Sequence, residues 1–416
     1  MRTEISDFVT RGSRLCGLAA LLGSALGAGA LAQDSAITQK GNVTVYTVQP
    51  SVQNMPVLAA AAADVIDYVN AKPLELPIAE NLSEEAVQLE AVRALTLRQD
   101  PSEFVIPLSS AGSEGAGGLM PVDLGAPAPQ GTGGSAAPAQ SGTAGLPFST
   151  ARADLTPQAT NEFYPYRASG KLFFRIGTGT FICSGSLIDK GLVATAAHCV
   201  SEFGERRYHS DWRFAPGYRS GVAPFGIWSA SQAYVLTSYF DGGDSCDPSS
   251  PGVVCENDIA VLVLDPQPGP DGAPLYPGTN TGWYSYGWNK AGFTGQDTTH
   301  VTQIGYPGCL DDGAMMERND SQAFIAPEFA SNTVIGSLMC GGSSGGGWFI
   351  NFGIRPNLTG TSLGSGAQPN MLVGITSWGS TSTAVKHMGS SPVLETNLPV
   401  LVKSACDAHP DACEAN

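Results

Sequence analysis

The stretch Ile259-Ala260-Val261-Leu262-Val263-Leu264 contains no polar side chain. A run this short and apolar, rich in β-branched residues, is typical of a strand buried in a β-sheet core. Similar short runs at 171–176, 234–237 and 371–378 are separated by Gly, Pro, Asn and Asp. Because the runs are short and long helical periodicity is missing between them, the chain after about Arg152 is predicted to form an antiparallel β sandwich or barrel.

The composition excludes several classes of function. The chain of 416 residues has 21 Lys and Arg against 37 Asp and Glu, with a formal charge of −16. Such an acidic chain would repel phosphate backbones, so no nucleic-acid partner is expected. There is no C-x-x-C motif, and the five histidines do not lie at ligand spacing to the cysteines, so we expect no metal and no cofactor.

The N-terminus has the pattern of a secretory signal. Three arginines precede an apolar, Gly- and Ala-rich run at 15–30, which ends in an Ala-Leu-Ala cleavage motif at 30–32. The pattern predicts a signal peptide at 1–32 and secretion to a periplasm or the medium. A membrane anchor is the alternative, but no later stretch approaches the ~20 apolar residues of a spanning helix.

Four further segments follow from changes in composition. Residues 33–108 are Ala-rich with some helical signal and are interpreted as a propeptide. Gly, Ala, Pro and Ser dominate much of 109–152, which is therefore predicted to be a flexible linker. The β domain is predicted at 153–403, followed by a polar tail at 404–416.

Cysteine usage agrees with export. One of the nine cysteines lies in the signal, and the remaining eight form an even set that predicts disulfides in an oxidising compartment. Closeness in sequence predicts three pairs and leaves the fourth: Cys183–Cys199, Cys246–Cys255, Cys406–Cys413, and then Cys309–Cys340.

A candidate nucleophile lies in a glycine-rich turn. In Cys340-Gly-Gly-Ser-Ser-Gly-Gly-Gly347, Ser344 has a G-x-S-G-G context, which allows a tight turn with backbone N–H groups pointing inward. The N–H groups of Gly342 and Ser344 would form an oxyanion hole. Taken alone, such a segment is more often a flexible loop.

A base and an orienting carboxylate complete the constellation. His198 precedes Cys199, so the predicted Cys183–Cys199 disulfide would hold it in place. Closing a loop of this size stabilises the folded state by about 3 kcal/mol. Asp258 stands at the mouth of the apolar run and needs a partner there, which the histidine N–H supplies. Asp265, at the other end of the run, is the alternative carboxylate, and the other histidines are interpreted as structural or surface residues.

Four motifs in order resemble the chymotrypsin family of serine proteases. They are Cys183-Ser-Gly-Ser-Leu-Ile188 with Thr195-Ala-Ala-His-Cys199, Asn257-Asp-Ile-Ala-Val-Leu262, Gly342-Ser-Ser-Gly-Gly346 and Ser377-Trp-Gly379. The three candidate residues occur along the chain in the order His, Asp, Ser, which differs from the order in α/β-hydrolases and in subtilisins. The resemblance covers roughly 163–402. It implies two six-stranded antiparallel β-barrels and a monomeric endopeptidase that cleaves proteins or peptides through an acyl-enzyme.

Two features are similar to a bacterial branch, the glutamyl endopeptidases. The Ile-Val-Gly-Gly start of the wider family is replaced here by the segments at 164–167 and 170–174. The segment Ile304-Gly-Tyr-Pro307 resembles the sequence found in that branch. Ser343 stands where trypsin-like enzymes have the Asp that pairs with the freed N-terminus, so activation through that ion pair is not expected. We hypothesise instead that 33–152 inhibits the enzyme by steric cover or assists its folding.

The resemblance also locates a specificity pocket. Leu338, six residues before the nucleophile, would form the floor, and the walls would be Thr376, Ser377, Trp378 and Gly379. The wall's edge would pair with the substrate backbone as an added strand. Leu338 provides no counter-charge for Arg or Lys, and Thr376 replaces the His of glutamyl endopeptidases, so an apolar or small side chain is expected. Two alternatives stay open: an inactive binding protein on the same fold, and a serine esterase.

Overall fold

The computed structural model describes residues 37–48, 66–77, 146–153, 159–248, 250–269, 272–326, 330–353, 367–379 and 386–414. The predicted signal peptide and residues 109–145 of the predicted linker lie outside the described residues. Four strands precede the main domain in the chain: β1 (Ile37–Lys40), β2 (Val43–Thr47), β3 (Lys72–Pro73) and β4 (Phe148–Arg152).

The first half of the main domain is a closed barrel of six antiparallel strands. They are β5 (Ser169–Ile176), β6 (Gly179–Leu187), β7 (Leu192–Thr195), β10 (Ser210–Pro216), β11 (Trp228–Leu236) and β12 (Ala260–Leu264). The order is β11-β10-β5-β6-β7-β12, and β12 pairs back with β11. Between these strands lie β8 (Ser201–Glu202), β9 (Arg207–Tyr208) and helix α1 (Thr237–Asp241).

The second half repeats this architecture. Its strands are β16 (Thr298–Gly305), β17 (Glu317–Ala326), β18 (Asn332–Gly336), β19 (Gly347–Ile350), β20 (Met371–Gly379) and β21 (His387–Pro392). The order is β20-β19-β16-β17-β18-β21, and β21 returns to β20. The connection between the barrels contains β13 (Gln267–Pro268), β14 (Pro274–Leu275), helix α2 (Gly278–Thr281) and β15 (Ser285–Tyr286). The two six-stranded antiparallel barrels implied by the resemblance are confirmed.

The last helix, α3 (Leu398–Ala408), packs on the first barrel. Its apolar residues Leu398, Leu401, Val402 and Ala405 are buried at helical spacing, and the helix contacts β11 and β12. This contact helps to explain why every residue of β12 is buried, as its apolar run predicted. No helix among the described residues is long and apolar enough to cross a membrane.

Segments outside the predicted β domain also join the sheets. β2 pairs with β11, and Val43 and Val45 belong to the first barrel's core. β3 pairs with β6 in parallel, and β4, which falls at the end of the predicted linker, pairs with β17. The four disulfides are those predicted, Cys183–Cys199, Cys246–Cys255, Cys309–Cys340 and Cys406–Cys413.

Candidate active site

The glycine-rich turn between β18 and β19 holds Ser344. Gly345 has φ +79°, and a Cβ there would lie 2.1 Å from Thr195 Oγ1 and 2.4 Å from the Ser184 carbonyl oxygen. The Ser344 carbonyl accepts the Ser184 N–H at 2.7 Å. Close packing of this turn on the first barrel therefore explains why glycine follows Ser344.

His198 and Asp258 are brought together by the pairing of β7 with β12. Thr195 lies opposite Ala260 in that register, so the turn after β7 meets the residues before β12. Asp258 Oδ1 accepts the His198 backbone N–H at 2.8 Å, and Asp258 Oδ2 lies 2.7 Å from His198 Nδ1. The carboxylate favours the tautomer with the proton on Nδ1, which leaves Nε2 free to accept a proton.

The second barrel also contacts this carboxylate. Ser377 Oγ donates to Asp258 Oδ2 at 2.5 Å, and Asp258 is 1% exposed. Burial, together with the charge of Asp258, raises the pKa of the neighbouring Tyr239 well above its usual value. Asp258 is therefore a buried carboxylate whose oxygens are held by three hydrogen bonds, which offset its desolvation.

Ser344 and His198 occupy adjacent loops but are not hydrogen-bonded to each other. Ser344 Oγ and His198 Nε2 are both buried, and neither has a hydrogen-bond partner among the described residues. A Cβ on Gly345 would lie 3.0 Å from the Ala196 nitrogen, which places the two loops side by side. Such contacts are often long in the absence of substrate and shorten when it binds.

Two predicted substrate-facing groups are occupied by the N-terminal segment 72–77. The Gly342 N–H donates to the Leu74 carbonyl at 3.0 Å, and the Gly379 N–H donates to the Pro77 carbonyl at 3.2 Å. This contact could not be predicted from the sequence, because the residues of 72–77 form no motif and their partners lie hundreds of positions away.

Thr376 belongs to a buried set of four polar, uncharged side chains. Thr376 Oγ1 accepts from Gln303 Nε2 at 3.1 Å and from Trp348 Nε1 at 2.8 Å. Gln303 Oε1 in turn accepts from Ser337 Oγ at 2.8 Å, and all four residues are buried. Sequence analysis missed Gln303 and Trp348 because they come from different strands and meet only in the folded barrel.

The other predicted pocket residues take different positions. Met339 and Met388 belong to the buried apolar cluster of the second barrel, whereas Leu338 lies outside it and its N–H donates to Thr150 Oγ1 at 3.3 Å. Trp378 is buried, and its Nε1 donates to Asn332 Oδ1 at 2.8 Å. The side chain that follows Leu338, not Leu338 itself, therefore packs in the apolar cluster.

Asp265, the alternative carboxylate, does not reach this site. Asp265 lies at the far end of β12, and its backbone N–H pairs with Ser229. His209 stacks on Phe174 in the first barrel, and its Nε2 forms a hydrogen bond of 3.1 Å with the backbone carbonyl of His198, so it is a structural neighbour of the candidate base. Three clusters of His, Cys or acidic residues occur in the described part of the chain, each with two cysteines of one disulfide. Disulfide sulfurs are not the thiolates that bind metals, so these clusters do not fit a metal site.

Several known proteins are similar to this chain. A glutamyl endopeptidase of Bacillus licheniformis is 23% identical over 210 residues, which are 50% of this chain and 56% of that protein. The chain thus spans just over half the length of that relative. Among solved structures, a thermostable serine protease, AL20, from an extremophilic microorganism has a TM-score of 0.43 at 23% identity. That match covers 55% of this chain and 92% of the other.

A second solved structure, a Glu endopeptidase in complex with MPD, has a TM-score of 0.42 at 17% identity. That match covers 63% of this chain and 96% of the other. A family model described as Trypsin matches residues 156–393, which is more than half of the chain. The chain therefore belongs to the trypsin family.

Proposed function

We propose that the chain is a secreted serine endopeptidase in which Ser344, His198 and Asp258 form the catalytic triad. The observation that carries the proposal is the pair of hydrogen bonds from His198, through its backbone N–H and its Nδ1, to the buried Asp258 carboxylate. This arrangement orients the imidazole and leaves Nε2 as the base. Four disulfides support folding in an oxidising compartment.

The reaction follows from these positions. Ser344 Oγ attacks the scissile carbonyl as its proton passes to His198 Nε2, and Asp258 stabilises the imidazolium without taking the proton. The N–H groups of Gly342 and Ser344 stabilise the oxyanion. One such donor lowers the activation free energy by about 3 kcal/mol. His198 then protonates the leaving amine, and water, activated by the same base, hydrolyses the acyl-enzyme.

The substrate class is a peptide with an apolar residue before the cleaved bond. Gln303 and Trp348 donate to the Thr376 hydroxyl, and Gln303 accepts from Ser337. Because these four side chains are uncharged, they offer no counter-charge to a charged substrate side chain. Met339 and Met388 supply apolar surface. Burying a charge without a partner is costly, so Lys, Arg, Asp and Glu are disfavoured.

Covalent labelling tests the triad. A fluorophosphonate is expected to label the secreted, processed wild-type protein, and Ser344→Ala and His198→Ala are expected to abolish labelling. The matched control is Ser343→Ala, because the Ser343 hydroxyl donates to the Cys340 carbonyl instead, and this variant should still be labelled. Labelling that persists in Ser344→Ala would contradict Ser344 as the nucleophile, and absence of labelling from the processed wild type would favour the inactive binding protein.

Substrate assays separate the peptidase from the esterase. Casein and a peptide library are expected to be cleaved, with apolar residues enriched before the cut. Hydrolysis of short acyl esters with intact casein would identify an esterase. Cleavage after basic or acidic residues would refute the apolar preference.

A further inference from the structure

We propose that Lys72–Pro77 is a built-in inhibitor that binds the catalytic cleft in the direction opposite to that of a substrate, and therefore is not cleaved. The inference rests on the proposed function. It assigns the cleft a second ligand class, an extended peptide of the sequence Lys-Pro-Leu-Glu-Leu-Pro.

The segment makes backbone contacts with both barrels, as an added strand does. At its start, Lys72 and Pro73 pair in parallel with Phe181 and Ile182 of β6. The Leu74 N–H donates to the Ile182 carbonyl at 3.0 Å. In the middle, the Leu74 carbonyl accepts the Gly342 N–H, the donor assigned to the oxyanion hole. At the end, the Pro77 carbonyl accepts the Gly379 N–H.

A side chain of the segment fills apolar space beside the nucleophile loop. Leu76 is 9% exposed and belongs to the same buried cluster as Met339 and Met388. Its Cδ1 lies 3.0 Å from the position of a Cβ on Gly379. The segment therefore occupies both the oxyanion donor and the apolar surface that a substrate would use.

The chemistry of the leaving group fixes the productive direction. His198 must protonate the leaving amine, so the half of a substrate after the cleaved bond has to lie on the His198 side, beside the first barrel. The disulfide from Cys183 of β6 to Cys199 marks that side. The half before the bond then lies along β20 of the second barrel.

The segment has the reverse arrangement. The residues before Leu74 lie along β6, and those after it lead to Gly379 on β20. The nitrogen attached to the Leu74 carbonyl belongs to Glu75, whose Cα lies 3.2 Å from the position of a Cβ on Gly341, and from there the chain continues toward β20 of the second barrel. In a substrate, moreover, the carbonyl in the oxyanion hole and the side chain in the specificity pocket belong to the same residue. Here the carbonyl belongs to Leu74 and the side chain to Leu76.

Two observations agree with a covered and tethered site. Ser344 is fully buried, and His198 Nε2 has no solvent exposure. The strand pair β1–β2 of the same N-terminal region is attached to β11, which raises the effective concentration of the segment at the cleft.

The test compares fluorophosphonate labelling rates of the unprocessed full chain, identified by its mass. Leu76→Asp is expected to raise the labelling rate of Ser344 tenfold or more, and Leu76→Ala is expected to raise it less. The matched control is Val69→Asp, because Val69 is 91% exposed in the same N-terminal region, and it should label like the wild type. Ser344→Ala confirms the labelled position.

A synthetic peptide of residues 66–77 provides a second measurement. It is expected to slow the labelling of secreted, processed enzyme and to remain intact by mass spectrometry, whereas the peptide carrying Leu76→Asp should not inhibit. Cleavage of the peptide within Lys72–Pro77, or equal labelling of wild type and both Leu76 variants, would overturn the inhibitor while leaving the proposed function in place. Absence of labelling from every protein, processed enzyme included, would instead refute the proposed function.

Discussion

The two barrels share a strand order but differ in their interiors. The first barrel surrounds β12 with apolar side chains, and its polar site residues, His198 and Asp258, lie at the ends of strands. The second barrel contains a buried hydrogen-bonded set that includes Gln303 and Thr376. In the proposed reaction, the first barrel would therefore position the base and the carboxylate, and the second barrel would shape the surface that meets the peptide.

The largest effect is expected from the first barrel's carboxylate. Asp258→Asn keeps the shape but favours the wrong imidazole tautomer, so kcat on a peptide substrate should fall by roughly 10⁴-fold. Asp265→Asn, at the other end of β12, is the control and should leave kcat unchanged. A similar loss in both variants would show that the pairing of Asp258 with His198 is not what matters.

Loss of the disulfide beside His198 should have the next largest effect. Replacing both Cys183 and Cys199 by Ser should lower the free energy of unfolding by about 3 kcal/mol, since the bond closes a loop in the unfolded chain. The corresponding double variant of Cys406 and Cys413, whose sequence separation is 7 instead of 16, should lose less. Denaturant unfolding without reductant measures both, and the reverse order would contradict the loop-closure explanation.

A smaller effect is expected inside the second barrel. Thr376→Val leaves the Gln303 and Trp348 N–H groups without their acceptor, so the free energy of unfolding should fall by about 2 kcal/mol. Thr299→Val is the control, because its partner, the Gly292 carbonyl, is at the surface and water can replace the lost hydroxyl. Equal losses would show that burial of the Thr376 hydroxyl does not decide the effect.

The smallest effects concern pH, and His209 of the first barrel and Glu317 of the second should change the stability in opposite directions. Burial lowers the pKa of His209 to about 4. The unfolded chain therefore binds the proton first, and stability falls as the pH decreases from about 6.5 to about 4. Burial and the adjacent Asp311 raise the pKa of Glu317 to about 7. The native state binds that proton first, so stability falls as the pH rises from about 4.5 to about 7.

Thermal unfolding across this range checks both signs. His209→Gln should flatten the loss on acidification, with a residual slope from His387, whose pKa burial also lowers to about 4. Glu317→Gln should flatten the loss on the alkaline side. An unchanged pH profile in either variant would contradict the assignment for that residue.

Much of the fold was predictable because its signals are local. The run at 259–264 became β12, and the predicted cysteine pairs formed. Helix α3 was not predicted, although its apolar residues have helical spacing, because its second half lies in a tail that is polar overall. The strand β4 was not predicted because its sequence resembles the linker, and only its pairing with β17 makes it a strand.

By itself, the sequence determined the chemistry of the candidate site. His198, Asp258 and Ser344 each lie in a short motif, and the residues that define each motif are neighbours in the chain. Only the tertiary structure decided what lies in the cleft and around Thr376. Gln303, Trp348, Leu74 and Pro77 acquire their roles from contacts between distant strands. Such contacts depend on the register and closure of the barrels, and a short window of sequence does not encode these.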